Sequence, residues 1–333
     1  MTTVIGRLRR RLLAPTEADV RFASRGFPVV GTPAVRALER VPAAVVRGFR
    51  SGIDGSPLEE VATRATAEAP DLRGFHHEGA VMAACVVDAM DPRGRGRARA
   101  LLTGPARAHV LLGWIGVGFA LAKLPRPVWS RAVPDLDDLD HQAVMSWLAV
   151  DGYAFDLAFF DHRRWLDRAG RVPAFAWRGD SAGVPHVIDQ GFGRALWFVH
   201  GADVDAVGIA VNRFGAHRRA DLWAGVGLAA TLAGGAGAED LRRLARTGDA
   251  GELGLGAVFA ATAATAAATD TGMVPDHVAT GVHALSGLPV ADAVAVGEAT
   301  APRPDETDPG EYLRWRARIR RRLAVTSPVL RSA

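Results

Sequence analysis

The spacing of apolar residues is helical along most of the chain. Apolar side chains recur three and four residues apart, the period that places them on one face of an α-helix. Strand-like alternation is scarce, and its best example, residues 172–177, is interrupted by Pro173. The pattern predicts an all-α protein, built as a multi-helix bundle or as an α-solenoid or toroid of stacked helical hairpins.

Several helix starts can be read from the sequence. Thr32-Pro33 has a capping residue followed by proline, and SPLE at 56–59 has the form of a capping box with Ser56 as N-cap. Breaks such as 91–96 and 301–309 are too short to be flexible interdomain linkers. We therefore expect one helical domain over residues 1–333, with basic terminal helices near 4–13 and 308–323.

Paired glycines recur inside the apolar segments. They occur in GVGFA at 116–120, GFGRA at 191–195 and GVGLA at 225–229. Glycine in a helix interior costs about 1 kcal/mol relative to alanine, so each pair is predicted to lie where a neighbouring helix approaches closely. The run from Gly225 also fits a G-x-G-x-x-A dinucleotide fingerprint, but no strand precedes it, and no nucleotide cofactor is expected.

Composition narrows the compartment and the partners. Two apolar runs, 110–124 and 253–268, fall short of the roughly 20 residues that a membrane span needs, which predicts buried helices and no integral membrane segment. Cys85 is the sole cysteine, so the chain has no internal disulfide, and a cytoplasmic location is expected. Arginines cluster at both ends of a chain of net charge +4, but no recognition motif supports binding to nucleic acid.

Two acids are candidate proton donors. DLDD at 135–138 fits the D-x-D-D pattern of class II terpene cyclases, in which the middle aspartate, here Asp137, is the acid; the alternative is that these aspartates cap the following helix. Glu78 lies in FHHEG at 75–79. The adjacent His76 and His77 point about 100° apart on a helix, so no metal site is predicted there.

A further set of polar residues is embedded in apolar helices. Buried polar groups must be paired or must meet a ligand. The sequence leaves both interpretations open: pairing between helices, for example Arg194 with Asp221 or Glu78, or a shared ligand-binding interior. We expect Glu78, Arg194 and Asp221 to share one interior polar cluster. The candidate ligand-binding residues are Glu78, Tyr153, Gln190, Arg194 and Asp221.

The same segments resemble a family of domains of unknown function whose genes often neighbour enediyne polyketide synthases in actinobacteria. The similar runs are GFHHEG at 74–79, DGYAF at 151–155, GFGRALWF at 191–198 and DLWAGVGLA at 221–229. The chain differs from the family pattern at His77, where an aromatic residue is expected, and at Phe155-Asp156, which replaces a histidine-containing continuation.

The resemblance implies a role in enediyne or related secondary metabolism, without assigning a reaction. The leading hypothesis is an accessory protein that binds a hydrophobic polyene intermediate. The alternatives are an acid-initiated cyclase or isomerase that uses Glu78 or Asp137, and a non-catalytic partner of a polyketide synthase that docks through the basic terminal helices.

Overall fold

The computed structural model describes residues 4–91 and 96–327, and within these ranges the chain forms eighteen α-helices and no β-strand. The all-α prediction is confirmed. The helices are α1 Val4–Leu13, α2 Phe22–Arg25, α3 Pro33–Gly52, α4 Leu58–Thr66, α5 Pro70–Met90, α6 Arg97–Thr103, α7 Val110–Lys123, α8 Trp129–Ala132, α9 Gln142–Met145, α10 Leu148–Phe160, α11 Val184–Val199, α12 Val204–Asn212, α13 Ala216–Leu232, α14 Ala238–Thr247, α15 Ala250–Thr271, α16 Asp276–Ser286, α17 Val290–Thr300 and α18 Glu311–Thr326. Single turns of 3₁₀-helix occupy Glu17–Val20, Arg107–His109 and Arg126–Val128, and a π turn occupies Arg163–Asp167.

The structure confirms one of the two predicted helix N-caps and contradicts the other. Thr32 caps α3 as expected, because its hydroxyl accepts a hydrogen bond from the Val35 amide at 3.0 Å. Ser56 does not cap α4: its hydroxyl donates to the Asp54 carboxylate, and Pro57 is the residue that precedes the helix. The strand candidate at 172–177 is extended chain with one isolated bridge between Trp177 and Asp180. Of the loop predicted at 91–96, residues 92–95 lie outside the described ranges.

Seven helices pack in succession and form the body of the fold. The order of contact is α3, α5, α7, α10, α11, α13 and α15. At its far end α15 also meets α5 and the turn at Arg107–His109. There Asp270 accepts a hydrogen bond from His109 at 3.0 Å and forms an ion pair with Arg73 at 3.3 Å. The row of helices is thus joined back on itself by a polar contact between residues far apart in sequence.

Glycines lie at the helix contacts, as the paired-glycine prediction required. A Cβ atom added at Gly118 would lie 2.1 Å from the Ala149 carbonyl oxygen, and one at Gly193 would lie 2.0 Å from that of Leu222. A Cβ atom added at Gly227 would lie 2.3 Å from the Leu253 carbonyl oxygen of α15. Such distances mean that backbone touches backbone, so even one methyl group would force the helices apart.

The last helix covers one side of this body. Tyr312, Trp315, Arg316, Ile319 and Leu323 are buried along one face of α18, and their spacing is that of a single helical face. Helices were predicted near 4–13 and 308–323, and α1 and α18 are found there. Helix α18 is therefore part of the packed core on one face and basic on the other.

Two helical segments are long and apolar enough to cross a membrane by length and composition alone, Gln142–Phe160 and Ala250–Thr271. Two bent helix pairs would raise the number to four if each were a single span. The second segment is longer than the run read from the sequence. Within this fold 83% of the first apolar window and 67% of the second is buried against protein. The expected absence of an integral membrane segment stays a prediction.

Candidate ligand-binding site

A cavity of about 460 Å³ lies between the packed helices. Its volume is within the range of small-molecule sites. The wall is almost entirely apolar, and its large side chains come from seven helices: Leu12 and Leu13 of α1, Val45 and Phe49 of α3, Phe75, Met82 and Val86 of α5, Phe119 of α7, Phe155 and Phe159 of α10, Phe198 of α11, and Leu228 and Leu232 of α13. Four ionisable residues also line it: Glu78, Lys123, Asp156 and Arg194.

Helix α5 shows how the sequence builds this wall. Phe75, Glu78, Met82 and Val86 are three or four residues apart, so one face of the helix looks into the cavity. The opposite side is packed against neighbours; a Cβ atom at Gly116 of α7 would lie 2.1 Å from the Glu78 carbonyl oxygen. Glu78 therefore stands in an otherwise apolar stripe, on a backbone held in place by a glycine contact.

The Glu78 carboxyl group is buried without a partner. The residue is 1% exposed, and no hydrogen bond or ion pair joins its side chain to any described residue. Burial raises the pKa of Glu78 to about 8, while the nearby Arg194 acts in the opposite direction. At neutral pH Glu78 is a protonated carboxylic acid that faces an apolar space, able to donate a hydrogen bond or a proton.

Arg194 is the cation of the same region. Its Nη1 donates to the Asp151 carboxylate, which is fully buried, and its guanidinium carbon lies 4.8 Å from the centre of the Phe155 ring. Arg194 also lines the cavity, so it is paired with a buried carboxylate on one side and faces the cavity on the other. A guanidinium in this position suits a carboxylate or carbonyl group at the end of a bound molecule.

A polar layer holds Asp151 and Arg194 from behind. Gln190 Nε2 donates to Asp151 Oδ2 at 2.7 Å, and the Tyr312 hydroxyl donates to Gln190 Oε1 at 3.2 Å. Close glycine contacts hold the backbone of these residues in place. A Cβ atom added at Gly191 would lie 2.3 Å from the Asp151 carbonyl oxygen, and one added at Gly225 would lie 1.9 Å from the Gln190 carbonyl oxygen. This geometry pre-organises Arg194 before any ligand arrives.

A second polar group lies elsewhere on the cavity wall. Lys123 Nζ is 2.6 Å from Asp156 Oδ2 and 3.9 Å from the centre of the Phe160 ring. Burial raises the pKa of Asp156, and Lys123 opposes that shift. The Lys123 side chain is 41% exposed while Asp156 is buried, so this pair marks a place where the cavity approaches solvent.

The structure brings together only some of the predicted residues. Glu78, Gln190 and Arg194 lie in or behind one region of the wall, and Asp151, which was not among the residues selected from the sequence, is the partner of Arg194. Asp221 is buried but pairs with His186 at 2.7 Å and with Arg316 at 2.8 Å, in a separate ion-pair group beneath α18. The example pairing of Arg194 with Asp221 or Glu78 is not what the structure has, and Asp221 does not share the cavity cluster.

Tyr153 and Asp137 lie away from the cavity. Tyr153 packs between Trp129 and Phe175, with ring centres 5.3 and 5.8 Å away. Asp137 is exposed and forms an ion pair with Arg178 at 2.5 Å. An exposed carboxylate paired with arginine is not a buried acid. The capping interpretation of DLDD is also wrong, because α9 begins at Gln142 with His141 as its N-cap.

One group has the side chains of a metal site. One ligand atom from each of His77, His109 and Asp270 lies within 4.8 Å of the others, and the two imidazole rings stack with centres 4.9 Å apart. Burial lowers the pKa of His77 to about 3, so the ring is neutral at physiological pH. Asp270 is shared with His109 and Arg73, which joins α15 to α5 and to the turn at Arg107–His109. The Nδ1 atoms of His77 and His109 are buried without a hydrogen-bond partner.

Comparison with known proteins assigns the family. The description "Protein of unknown function (DUF1702)" matches residues 4–323, nearly the whole chain. The chain belongs to this family. The match confirms the expected kind of family, a domain of unknown function. No curated protein and no solved structure matches the chain.

Two features of the buried interior were not foreseen from the sequence of this DUF1702 protein. Arg316 belongs to the cluster of arginines at the C-terminal end, although its spacing from Tyr312 and Trp315 places it on the buried face of α18. The phenylalanines that form the cavity wall carry no signal of their own, because an aromatic residue facing a cavity and one filling a core give the same sequence pattern.

Proposed function

We propose that this protein binds an elongated apolar molecule that carries a carboxyl or carbonyl group at one end. The observation that supports this most strongly is the Glu78 carboxyl group, buried without a partner in the wall of an apolar cavity beside Arg194. An unpaired buried carboxyl costs stability, so a bound group that accepts its hydrogen bond would offset that cost. A conjugated polyene intermediate, of the kind that the family resemblance implies, has the required shape and polarity.

The protonation of Glu78 fits an acidic ligand. While Glu78 is neutral, Arg194 supplies positive charge and Glu78 supplies a hydrogen bond, so a ligand carboxylate meets no repulsion. Once Glu78 ionises, near pH 8, two carboxylates would face each other. Affinity for an acidic polyene should therefore fall as the pH rises through this value.

The test uses a conjugated tetraene fatty acid, whose absorbance and fluorescence change when it leaves water. We expect saturable binding by the native protein and roughly tenfold weaker binding by Arg194→Gln, which loses a charge-assisted hydrogen bond. Arg218→Gln is the matched control, because Arg218 is also a buried arginine but pairs with Asp189 outside the cavity. No binding by the native protein, or equal losses in both variants, would contradict the proposal.

A second candidate function is acid-initiated cyclisation or isomerisation of a polyene or terpenoid substrate. The raised pKa of Glu78 favours it, because a neutral carboxylic acid in an apolar cavity can protonate an alkene. Glu78→Gln keeps the hydrogen-bonding shape but cannot donate a proton. Incubation with polyenes and polyprenyl diphosphates should give a product with the native protein and with Asp137→Asn, but not with Glu78→Gln. Activity that survives in Glu78→Gln would exclude this mechanism.

The third hypothesis, docking to a polyketide synthase through the terminal basic helices, stays a prediction. Removing residues 311–333 is a poor test, because it deletes the buried face of α18. Arg321 and Arg322 are exposed, so replacing both with glutamine tests the docking role without disturbing the core.

A further inference from the structure

An unusual concentration of exposed apolar side chains surrounds one end of the cavity. Leu8 and Leu12 of α1 are 55% and 70% exposed, and Met90 at the end of α5 is 52% exposed. Leu13 is a fourth member of this group, which we call the apolar rim: Leu8, Leu12, Leu13 and Met90. The rim contains half of the large hydrophobic side chains that are exposed on the described surface. Clusters of this kind mark contact with another apolar surface.

Helix α1 exposes leucine side chains that a surface helix ordinarily buries. Of the α1 residues whose burial the structure describes, Gly6 is buried and Arg9 is half-buried, so those that meet the protein are small or basic. Arg10 lies 3.7 Å from the buried Asp54. Leu8 and Leu12, four residues apart, therefore face outward together. A helix normally buries its apolar stripe in the core; here the stripe is presented to the surroundings.

The rim is continuous with the cavity. Leu12, Leu13 and Met90 line the cavity as well as its outer edge. An apolar molecule that passes from the rim to Arg194 and Glu78 would therefore stay in contact with apolar side chains at the start of its path.

The charge beside the rim identifies what covers it. Arg10, Arg11 and Arg50 surround a shallow depression next to α1, and Arg11 is exposed. Asp54 and Asp156, which contact Arg10 and Lys123, are buried, and the exposed Glu17 beside the depression is ion-paired with Arg47 at 3.3 Å. Outward leucines flanked by arginines are the pattern of a helix that lies in the interface of an anionic bilayer, with its leucines at the acyl boundary and its arginines among the headgroups.

We propose that the apolar rim docks on an anionic lipid surface, with Leu8, Leu12 and Met90 inserted below the headgroups and Arg11 bound to lipid phosphate. The cavity mouth would then open towards the hydrocarbon, and its ligand would pass between bilayer and protein without crossing water. The second statement rests on the proposed function; the docking does not.

The first test measures co-sedimentation of the full chain with vesicles of phosphatidylcholine alone and of phosphatidylcholine mixed with phosphatidylglycerol. Binding is expected to the mixed vesicles and to weaken with added salt. Leu8→Ser with Leu12→Ser should reduce binding by roughly tenfold per leucine, and Arg11→Gln should weaken the preference for anionic lipid. The matched controls are Ile209→Ser with Val325→Ser, which are exposed apolar residues outside the rim, and the exposed Arg322→Gln.

Three outcomes would overturn the docking proposal. One is absence of binding to both kinds of vesicle, and another is equal binding by the rim variants and their controls. The third is a native dimer that dissociates when the two leucines become serine, since a second copy would then cover the rim. Thermal unfolding of each variant identifies any that fails to fold; for such a pair, Leu8→Ala with Leu12→Ala replaces it.

A second measurement separates docking from ligand binding. Transfer of the tetraene fatty acid from anionic vesicles should be slowed in Leu8→Ser, while its binding from free solution should be unchanged, because Leu8 belongs to the rim but does not line the cavity. Normal vesicle binding without any tetraene binding would refute the proposed function and leave the docking intact. Normal tetraene binding without vesicle binding would do the reverse.

Discussion

Two buried polar regions of this protein treat their carboxyl groups in opposite ways. Beneath α18, Asp221 is held by His186 and Arg316, and these partners overcome its burial and lower its pKa. On the cavity wall, Glu78 has no such partner, and burial raises its pKa to about 8. The first region stays charged and fastens α18 to the helices below it. The second stays neutral and gives up stability to keep a hydrogen-bond donor available, the usual compromise at a functional site.

The largest expected effect is a loss of stability in the ion-paired region beneath α18. Arg316 is 4% exposed and is shared by Asp221 and Glu252, so Arg316→Met would leave two buried carboxylates short of a counter-ion. Breaking a buried pair in this way costs about 3–5 kcal/mol of the free energy of unfolding. Urea denaturation measures the loss, with the exposed Arg322→Met as a control that should change stability by less than about 0.5 kcal/mol. Equal stability of both variants would mean that the ion pairs do not fasten α18.

Replacing the buried carboxyl group of the cavity wall should raise the stability of the protein. The folded pKa of Glu78 lies above its ordinary value of 4.5, so the folded protein holds an extra proton between pH 4.5 and about 8 and loses stability as the pH rises through that window. Glu78→Gln removes the titration. It should therefore be more stable than the native protein at neutral pH, by an amount that grows by roughly 1.4 kcal/mol per pH unit.

The control for this second prediction is Glu239→Gln, an exposed surface change. Thermal unfolding of the native protein and both variants from pH 5 to pH 8 gives the comparison. A constant difference between native and Glu78→Gln across this range would show that Glu78 is not held protonated in the fold.

A backbone change should disturb the support of the site. An alanine Cβ at position 225 would lie 1.9 Å from the Gln190 carbonyl oxygen, so α11 and α13 must separate. Overpacking of this kind costs about 1–3 kcal/mol. Gln190 and Arg194 belong to α11, which would be displaced, so Gly225→Ala should also weaken tetraene binding. Gly237→Ala is the control, since an added Cβ there meets nothing within 4 Å; binding as tight as in the native protein would argue against this support.

The smallest expected change in stability comes from His186, the half-exposed partner of Asp221. The hydrogen bond to Asp221 raises the pKa of His186, and half of this side chain is exposed. The stabilisation is therefore present below the ordinary histidine pKa of about 6.5 and is lost as the pH rises through the raised value. His186→Gln should be slightly less stable than the native protein at pH 6 and equal to it at pH 9. A larger difference at pH 9 would reverse the assignment. The exposed His217→Gln should match the native protein at both values.

How much the sequence could predict differs between the fold and the site. Helical periodicity and the glycine pairs are local signals, and glycine in a helix has a cost that only a close neighbour offsets, so the helix contacts could be predicted. The partner of a buried charge is not local. Arg194 and Asp151 are 43 residues apart, and Asp221 was equally suitable by composition.

The failed candidates have a related physical cause. DLDD has the same residues whether it lies in a cavity or, as here, on an exposed turn bound to Arg178. Tyr153 is one position from Ala154 and two from Asp151 on the same helix, and only the packing of α10 decides which of them faces the interior. Glu78 could be selected because a lone acid in an apolar stripe is costly wherever the stripe packs.

The contact of Asp270 with His109 also has a consequence for synthesis of the chain. The two residues are 161 positions apart, and translation at about 5–20 residues per second separates their appearance by roughly ten to thirty seconds. Throughout that interval Arg73 and His109 have been made, but the carboxylate that joins them to α15 has not. The contact that joins the row of helices back on itself can therefore form only after most of the polypeptide has been synthesised.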